Sequence, residues 1–176
     1  DISIINPCEQ NALEISDNSS ITDTFSIVTY AWNYGDNTSA INPTEDKSFE
    51  EYGAYTVQLV LTANNGCVDS TEQNITVHPN PILNYEVGPA CMNTWTSFEN
   101  QSTIPLGSIA QTDWLVNLQY ALEGTSSAFK FVTTGVQYLN LTSTSDQGCI
   151  TDTLIIVNVQ PEINAAYVVS PSTVVA

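Results

Sequence analysis

The sequence has no arginine, and its two lysines, Lys47 and Lys130, stand against nineteen Asp and Glu residues. The formal net charge of −17 at pH 7 leaves almost nothing to neutralise phosphates. This excludes nucleic acids as partners, and it excludes anionic membrane surfaces for the same electrostatic reason. No apolar run approaches the roughly 18 residues of a transmembrane helix, so membrane insertion is not expected.

Residues that carry catalysis are also scarce. His78 is the single histidine, which excludes a His-dependent triad in each half of the chain and a His-rich metal site. The Gly-x-Ser-x-Gly motif, a phosphate loop and the Asp-Thr-Gly or Asp-Ser-Gly of aspartic proteases are absent. With nineteen acids, some pair will lie at a glycosidase-like distance of roughly 5 to 9 Å by chance. We therefore predict no enzymatic activity.

No stretch of the sequence has the periodicity of an amphipathic helix. Apolar side chains instead alternate with polar ones, as in residues 55–61 and 71–77, and Thr, Val and Ile are abundant. Turn-forming triplets separate these runs, namely Gly-Asp-Asn at 35–37 and Asn-Asn-Gly at 64–66. The pattern predicts an all-β fold.

The chain repeats itself with a period of 82 residues. The matched landmarks are Trp32 and Trp114, Phe49 and Phe131, and Cys67 and Cys149; upstream of the tryptophans the shift is 83, which aligns Cys8 with Cys91. This period is long enough for each copy to hold its own core. We predict module 1 at residues 1–80, module 2 at 81–162, and a linker with the truncated start of a third module at 163–176. There, Thr173 takes the place of the first cysteine.

Each module has the landmarks of an immunoglobulin-like sandwich. A tryptophan lies on a middle strand, with an apolar strand about 25 residues later. Tyr55 has the spacing of a tyrosine corner, whereas Gln137 occupies the matched position in module 2. We predict that Trp32 and Trp114 lie in two separate cores, and that the chain forms two tandem immunoglobulin-like β-sandwich domains.

The sequence Trp-Asn-Tyr-Gly-Asp-Asn-Thr-Ser at 32–39, followed by Tyr-Gly-Ala-Tyr-Thr-Val at 52–57, resembles the polycystic kidney disease (PKD) domain family. Its core motif is Trp-Asp-Phe-Gly-Asp-Gly followed by Gly-x-Tyr-Thr-Val. An early cysteine and Asn-Gly-Cys at 65–67 resemble tandem PKD modules in giant cell-surface adhesins of gliding Bacteroidetes. Module 2 departs from the motif at 114–119, which lacks the Gly-Asp turn, and is PKD-like. The resemblance implies an extracellular spacer or adhesion unit without catalysis.

The four cysteines are predicted to form disulfides. Each module has one cysteine near its first strand and one in a late hairpin turn, and we expect these positions to meet at the same end of a sandwich. This predicts the pairs Cys8–Cys67 and Cys91–Cys149, with the two other pairings and free thiols as alternatives. Disulfides imply an oxidising compartment, and no Cys-x-x-Cys motif points to a redox role.

Two further residues are candidates for binding. The resemblance implies calcium near the Gly-Asp loop of some relatives, which makes Asp36 a candidate calcium ligand; the alternative is that the acids form a solvated surface. No other cofactor is expected. Trp95 has the opposite strand parity to Phe98 and is therefore a candidate outward contact with a ligand or a neighbouring module.

These observations predict a non-enzymatic repeat segment of a long extracellular or cell-surface adhesin, with disulfide-clamped spacer or adhesion modules and a role in gliding motility by the resemblance. The alternative is a carbohydrate-binding or substrate-presenting accessory module of a secreted hydrolase. Proline-containing joints at 78–81 and 160–162, together with like charges, favour an extended rod. The expected partners are neighbouring modules of the same chain, with surface polysaccharide as a further candidate, and the chain is expected to be a monomer.

Overall fold

The computed structural model describes residues 7–22, 24–163 and 165–168. Across these ranges the secondary structure consists of β-strands joined by turns and loops. None of the described residues forms a helix with the length and apolar character needed to cross a membrane. Thr173 and most of the predicted third module lie outside the described residues.

The described strands fall into two modules with the same order, except that module 2 begins with one additional strand. Module 1 contains β1 (Leu13–Ser16), β2 (Ile27–Asn33), β3 (Ser39–Ala40), β4 (Thr44–Lys47), β5 (Gly53–Ala63) and β6 (Val68–Val77). Module 2 contains β7 (Tyr85–Val87), β8 (Trp95–Asn100), β9 (Ile109–Val116), β10 (Tyr120–Glu123), β11 (Ser126–Lys130), β12 (Gly135–Ser145) and β13 (Ile150–Val159). The four-stranded sheets have the orders β3-β2-β5-β6 and β10-β9-β12-β13; the smaller sheets are β1-β4 and β11-β8-β7. All of these pairings are antiparallel.

The strands form where apolar and polar side chains alternate, because successive side chains of a strand point to opposite faces of the sheet. In β8, Thr96, Phe98 and Asn100 are buried while the residues between them are exposed. In β5, Val57 and Leu59 are buried, while Thr56 and Gln58 beside them are exposed. The predicted all-β fold is confirmed.

The internal alignment predicted from the sequence is also present in the strand geometry. β5 and β12 are both 11 residues long and begin 82 residues apart, at Gly53 and Gly135. The indole nitrogens of the matched tryptophans make equivalent hydrogen bonds. Nε1 of Trp32 donates to the carbonyl of Asn42 at 2.9 Å, and Nε1 of Trp114 donates to that of Gly124 at 3.0 Å.

Each module has its own hydrophobic core. The module 1 core consists of Ile15, Trp32, Tyr34, Phe49, Val57, Leu59, Ile75 and Val77. The module 2 core consists of Phe98, Trp114, Val116, Phe131, Leu139, Leu141, Ile155, Val157 and Val159. Trp32 is 2% exposed and Trp114 is fully buried, which confirms their predicted positions. Two separate cores confirm two sandwich domains rather than one fused body.

The tyrosine corner is formed in module 1 and replaced in module 2. The hydroxyl of Tyr55 donates to the carbonyl oxygen of Glu51 at 2.8 Å, which ties the loop between the sheets to β5. At the matched position, the side-chain nitrogen of Gln137 donates to the hydroxyl of Thr133 at 3.2 Å. The side-chain oxygen of Gln137 accepts from Asn117 at 2.7 Å. In module 2 the side-chain amide of Gln137 therefore occupies the position of the Tyr55 phenol in module 1.

The hairpin after the core tryptophan differs between the modules. Gly35 has φ +78°, and a Cβ there would lie 2.8 Å from the carbonyl oxygen of Thr56, so this position requires glycine. In module 2 the turn is made by Asn117 and Leu118, with φ of 52° and 58°. Positive φ at two consecutive residues is the conformation of a type I′ hairpin turn, in which Asn is well tolerated. This is the predicted departure of module 2 from the Gly-Asp motif.

Candidate functional site

The two cysteines of module 1 lie at opposite ends of that module. Cys8 forms a β-bridge with His78, directly after β6, whereas Cys67 directly precedes β6. A strand rises about 3.3 Å per residue, so the ten residues of β6 separate these ends by about 33 Å. A disulfide needs Cα atoms within about 7 Å, which excludes the predicted bond between Cys8 and Cys67.

Module 2 repeats this arrangement. Cys91 forms a β-bridge with Gln160 directly after β13, and Cys149 directly precedes β13, which is also ten residues long. The predicted pairs Cys8–Cys67 and Cys91–Cys149 are therefore wrong. In each module the early cysteine and the late hairpin cysteine lie at opposite ends of the sandwich, not at the same end as expected.

The structure instead joins the two modules by a disulfide between Cys8 and Cys149, with a Cα–Cα distance of 5.7 Å. Both residues are buried. The sulfur of Cys149 lies 3.9 Å from the carbonyl oxygen of His78. The bond links the downstream end of module 1, where the chain leaves it, to the upstream end of module 2. Cys67 and Cys91 are free thiols, the first exposed and the second half-buried.

The polypeptide between the modules, residues 78–81, is fastened to module 1. Pro79 and Pro81 are buried. The side-chain carboxylate of Glu9 accepts from the backbone nitrogen of Asn80 at 2.9 Å, and the Asn80 side chain donates to the carbonyl of Glu9 at 2.8 Å. The backbone nitrogen of Glu9 donates to the carbonyl of His78 at 2.9 Å. The joint is therefore held by hydrogen bonds as well as by the disulfide.

Sequence reasoning did not identify Glu9 and Asn80 as joint residues. They are 71 residues apart and belong to no motif. At the matched positions module 2 has Met92 and Glu162, so the repeat alignment gives no signal for them either.

A second candidate site is an open hollow of module 1 beside the Gly35 turn, lined by Asp36, Lys47 and acidic side chains. The ammonium of Lys47 donates to Oδ2 of Asp36 at 2.5 Å and to the carbonyl of Ser48 at 2.7 Å. It lies 4.6 Å from the ring centroid of Phe49, within cation–π range. Oδ1 of Asp36 accepts from the backbone nitrogen of Thr38 at 3.0 Å and from its hydroxyl at 2.6 Å.

These contacts determine the charge state of Asp36. Partial burial raises the pKa of Asp36, but hydrogen bonds from Lys47 and Thr38 lower it more, so the net pKa lies below the ordinary 3.8. The carboxylate is charged and already paired with an ammonium. No group of three His, Cys, Asp or Glu side chains in the described part of the chain is placed to hold a metal ion. The role of Asp36 as a calcium ligand stays a prediction.

Asp36→Asn is expected to weaken the acid sensitivity of folding. Because the folded-state pKa of Asp36 is depressed, its stabilising contribution is complete above the unfolded pKa of about 3.9 and is lost as pH falls through the folded pKa. The free energies of unfolding of wild type and variant should differ by about 1 to 2 kcal/mol at pH 7, and the difference should shrink as pH falls below 3.8. Urea unfolding at pH 3 to 7 measures this, with Glu50→Gln in the same hollow as the control. A constant gap between wild type and variant would contradict the expectation.

The ion pair between Asp36 and Lys47 has no counterpart at the matched positions of module 2. The positions matched to Asp36 and Lys47 in module 2 are Leu118 and Phe129. The Phe129 ring packs against Tyr120 and Phe131, with centroid distances of 5.2 and 5.1 Å. An apolar contact thus replaces the ion pair, a difference that position-by-position comparison of the repeats would have revealed.

Trp95 lies on the outer face of module 2, opposite Lys130 of β11, and is 72% exposed. Its placement agrees with the strand parity, since Phe98 is buried. A role as a contact residue stays a prediction.

Several known proteins are similar to all or part of this chain. A family model described as the PKD domain matches residues 4–78. The pre-pro-metalloprotease PrtV of Vibrio cholerae is 25% identical over 138 residues, which cover 78% of this chain but only 15% of that protein.

The chain also aligns with two solved structures at low identity. The PKD1 domain of Vibrio anguillarum Epp is 19% identical with a TM-score of 0.44, over 47% of this chain and 96% of that one. Fibronectin(III)-like modules of Clostridium thermocellum CbhA are 15% identical with a TM-score of 0.47, over 95% of this chain and 98% of that one.

Proposed function

We propose that this chain, whose residues 4–78 match the family model of the PKD domain, is a non-enzymatic segment of a long extracellular or cell-surface adhesin. Its two sandwiches act as spacer and adhesion units that hold a binding site away from the surface or attach through many weak contacts. The partners are neighbouring modules of the same parent chain and, on the outer faces, surface polysaccharide. The chain itself acts as a monomer.

The observation that carries the proposal is the disulfide across the joint. Cys8 and Cys149 connect the modules at one point and residues 78–81 connect them at another, so bending about the joint is restricted. A spacer needs this stiffness, because a flexible linker lets its ends approach each other. The net charge of −17 adds repulsion that disfavours collapse of the modules onto each other.

The same bond supports the extracellular location, since disulfides form and persist mainly in oxidising compartments. The most specific form of the proposal places the array on gliding bacteria of the Bacteroidetes, where it would contribute to gliding adhesion. That form rests on the resemblance of the residue motifs and the paired cysteines to such adhesins.

Small-angle X-ray scattering of the oxidised chain tests the spacer role. We expect two beads in line with a maximum dimension of about 70 to 80 Å, since each module is about 35 Å long by its 11-residue strands. Cys8→Ser should broaden the distance distribution, whereas Cys67→Ser, which removes a free thiol, should leave it unchanged. A compact globule in the oxidised wild type would reject the spacer role.

The accessory-module alternative has its own supporting observations. The chain is similar to part of a pre-pro-metalloprotease, and Trp95 exposes an aromatic surface of the kind that stacks on sugar rings. A polysaccharide pull-down distinguishes the two functions. Dose-dependent binding that Trp95→Ala abolishes would favour the accessory module of a secreted hydrolase.

A further inference from the structure

We propose that Cys67 and Cys91 each form a further disulfide with a neighbouring module. Cys67 bonds to the module before module 1, and Cys91 bonds to the module after module 2. These bonds correspond to the Cys8–Cys149 bond between modules 1 and 2. The partner in each case is a module of the same type in the same parent chain. The inference rests on the proposed array, because each bond needs a neighbouring module.

The two free thiols occupy the same local geometry as the two bonded sulfurs. The carbonyl of Cys67 accepts from Ala63 at 2.9 Å, and the carbonyl of Cys149 accepts from Ser145 at 2.8 Å. Cys8 and Cys91 each form a parallel bridge with the residue that follows the last strand of their module. Cys67 is thus an upstream-end cysteine like Cys149, and Cys91 is a downstream-end cysteine like Cys8.

Matched residues are buried at the joint between the modules and exposed at the two ends of the chain that have no neighbouring module. At the joint between the modules, Cys149 is fully buried and Pro79 is buried as well. The matched residues Cys67 and Pro161 are exposed. Beside Cys67, apolar side chains line a shallow cavity: Ile21, Ile27, Leu61 and Val68. The end that carries Cys67 therefore offers apolar surface for a neighbour to cover.

Cys67 and Cys91 of one chain lie too far apart to form a disulfide with each other. Cys67 lies at the upstream end of module 1 and Cys91 at the downstream end of module 2. The lengths of β6 and β13 lie between them, about 33 Å each. A disulfide spans about 7 Å between Cα atoms at most, so each thiol needs a partner on another module.

The bond forms by oxidation of two thiols. A Cys91 thiol and a thiol at the Cys67 position of the next module give up two protons and two electrons. A small-molecule disulfide such as oxidised glutathione accepts them and is reduced to two thiols. The product is one S–S bond of the kind that joins Cys8 to Cys149.

The first test mixes the full-length variants Cys67→Ser and Cys91→Ser in a glutathione redox buffer. Each variant retains one free thiol, at opposite ends of the molecule. Random collision would give the mixed dimer at about twice the amount of either symmetric dimer. Complementary ends should raise the mixed Cys91–Cys67 dimer to roughly tenfold over either symmetric dimer, as judged by non-reducing electrophoresis and peptide mapping. A mixed dimer at no more than about twice the amount of either symmetric dimer would overturn the proposal.

The second test supplies the neighbouring module in the same polypeptide. A fusion in which Ala165 is followed directly by Asp1 of a second copy places Cys91 141 residues before Cys67 of that copy, the separation of Cys8 from Cys149. Three disulfides are expected, one of them linking Cys91 to Cys67 of the second copy. The same fusion with Cys91→Ser should lose that bond alone and keep the other two. A free Cys91 in the first copy of the oxidised fusion would overturn the proposal.

These outcomes are separable from failure of the spacer role. If Cys91 of the first copy is free in a fusion that scatters as an extended rod, the additional disulfides are rejected and the proposed spacer role is retained. A compact globule from the oxidised single chain rejects the spacer, whatever the cysteines do.

Discussion

Cys8→Ser is expected to lower the free energy of unfolding of the two-module chain by roughly 3 to 5 kcal/mol and to separate its unfolding into two transitions. The bond joins residues 141 apart, and the chain-entropy model assigns about 5 kcal/mol to a loop of that length. Because this loop contains most of both modules, the bond constrains the unfolded state of the whole chain. Without the bond, each module should unfold at a temperature set by the stability of its own core.

Differential scanning calorimetry under oxidising conditions measures this effect. Cys67→Ser is the matched control, because it removes an exposed, unbonded thiol and should change the free energy of unfolding by less than about 0.5 kcal/mol. Equal destabilisation by the two variants would mean that the Cys8–Cys149 bond does not couple the modules. Peptide mapping of the oxidised wild type should recover Cys8 linked to Cys149.

Trp32→Ala should destabilise module 1 by about 3 to 5 kcal/mol, the range for removing a buried tryptophan from a packed core. The side chain is 2% exposed, and its indole nitrogen donates to the carbonyl of Asn42. The substitution leaves a cavity and also removes the indole N–H that donates to the Asn42 carbonyl. Module 2 should retain its structure, because no residue of its core belongs to the core of module 1.

Hydrogen exchange read out by mass spectrometry measures the two modules separately. Trp32→Ala should reduce protection in β2, β5 and β6, and Trp114→Ala should do the same for β9, β12 and β13. Trp95→Ala serves as the control for both, since that side chain is 72% exposed and its loss should cost less than about 0.5 kcal/mol. Equal loss of protection in both modules with Trp32→Ala would argue against independent cores.

Much of the architecture was predictable because it depends on local patterns. Alternation identifies the inward side chains of β5 and β8, since a strand places every second residue on one face. The repeat identifies Trp32 and Trp114 as equivalent, and both prove buried. The Tyr55 hydrogen bond to Glu51 was predictable for the same reason, because its partner lies only four residues away.

The candidate sites were less predictable because they depend on contacts between distant segments. Asp36 was considered as a calcium ligand, yet its carboxylate binds Lys47 from β4, a contact that neither the turn motif nor the charge count reveals. Glu9 and Asn80 meet across 71 residues to fasten the joint. Only the paths of the strands bring these side chains together.

The cysteines show the division most clearly. Repeat spacing and alternation are properties of the linear chain, so they predict two β-sandwiches with one cysteine near the start and one in a late turn of each. The positions of these cysteines at opposite ends of a module follow from the paths of the strands in space, which is why Cys8 bonds to Cys149 and Cys67 stays free. The physical reason is that a disulfide forms between groups that are close in space, and a ten-residue strand carries its two ends well beyond that reach.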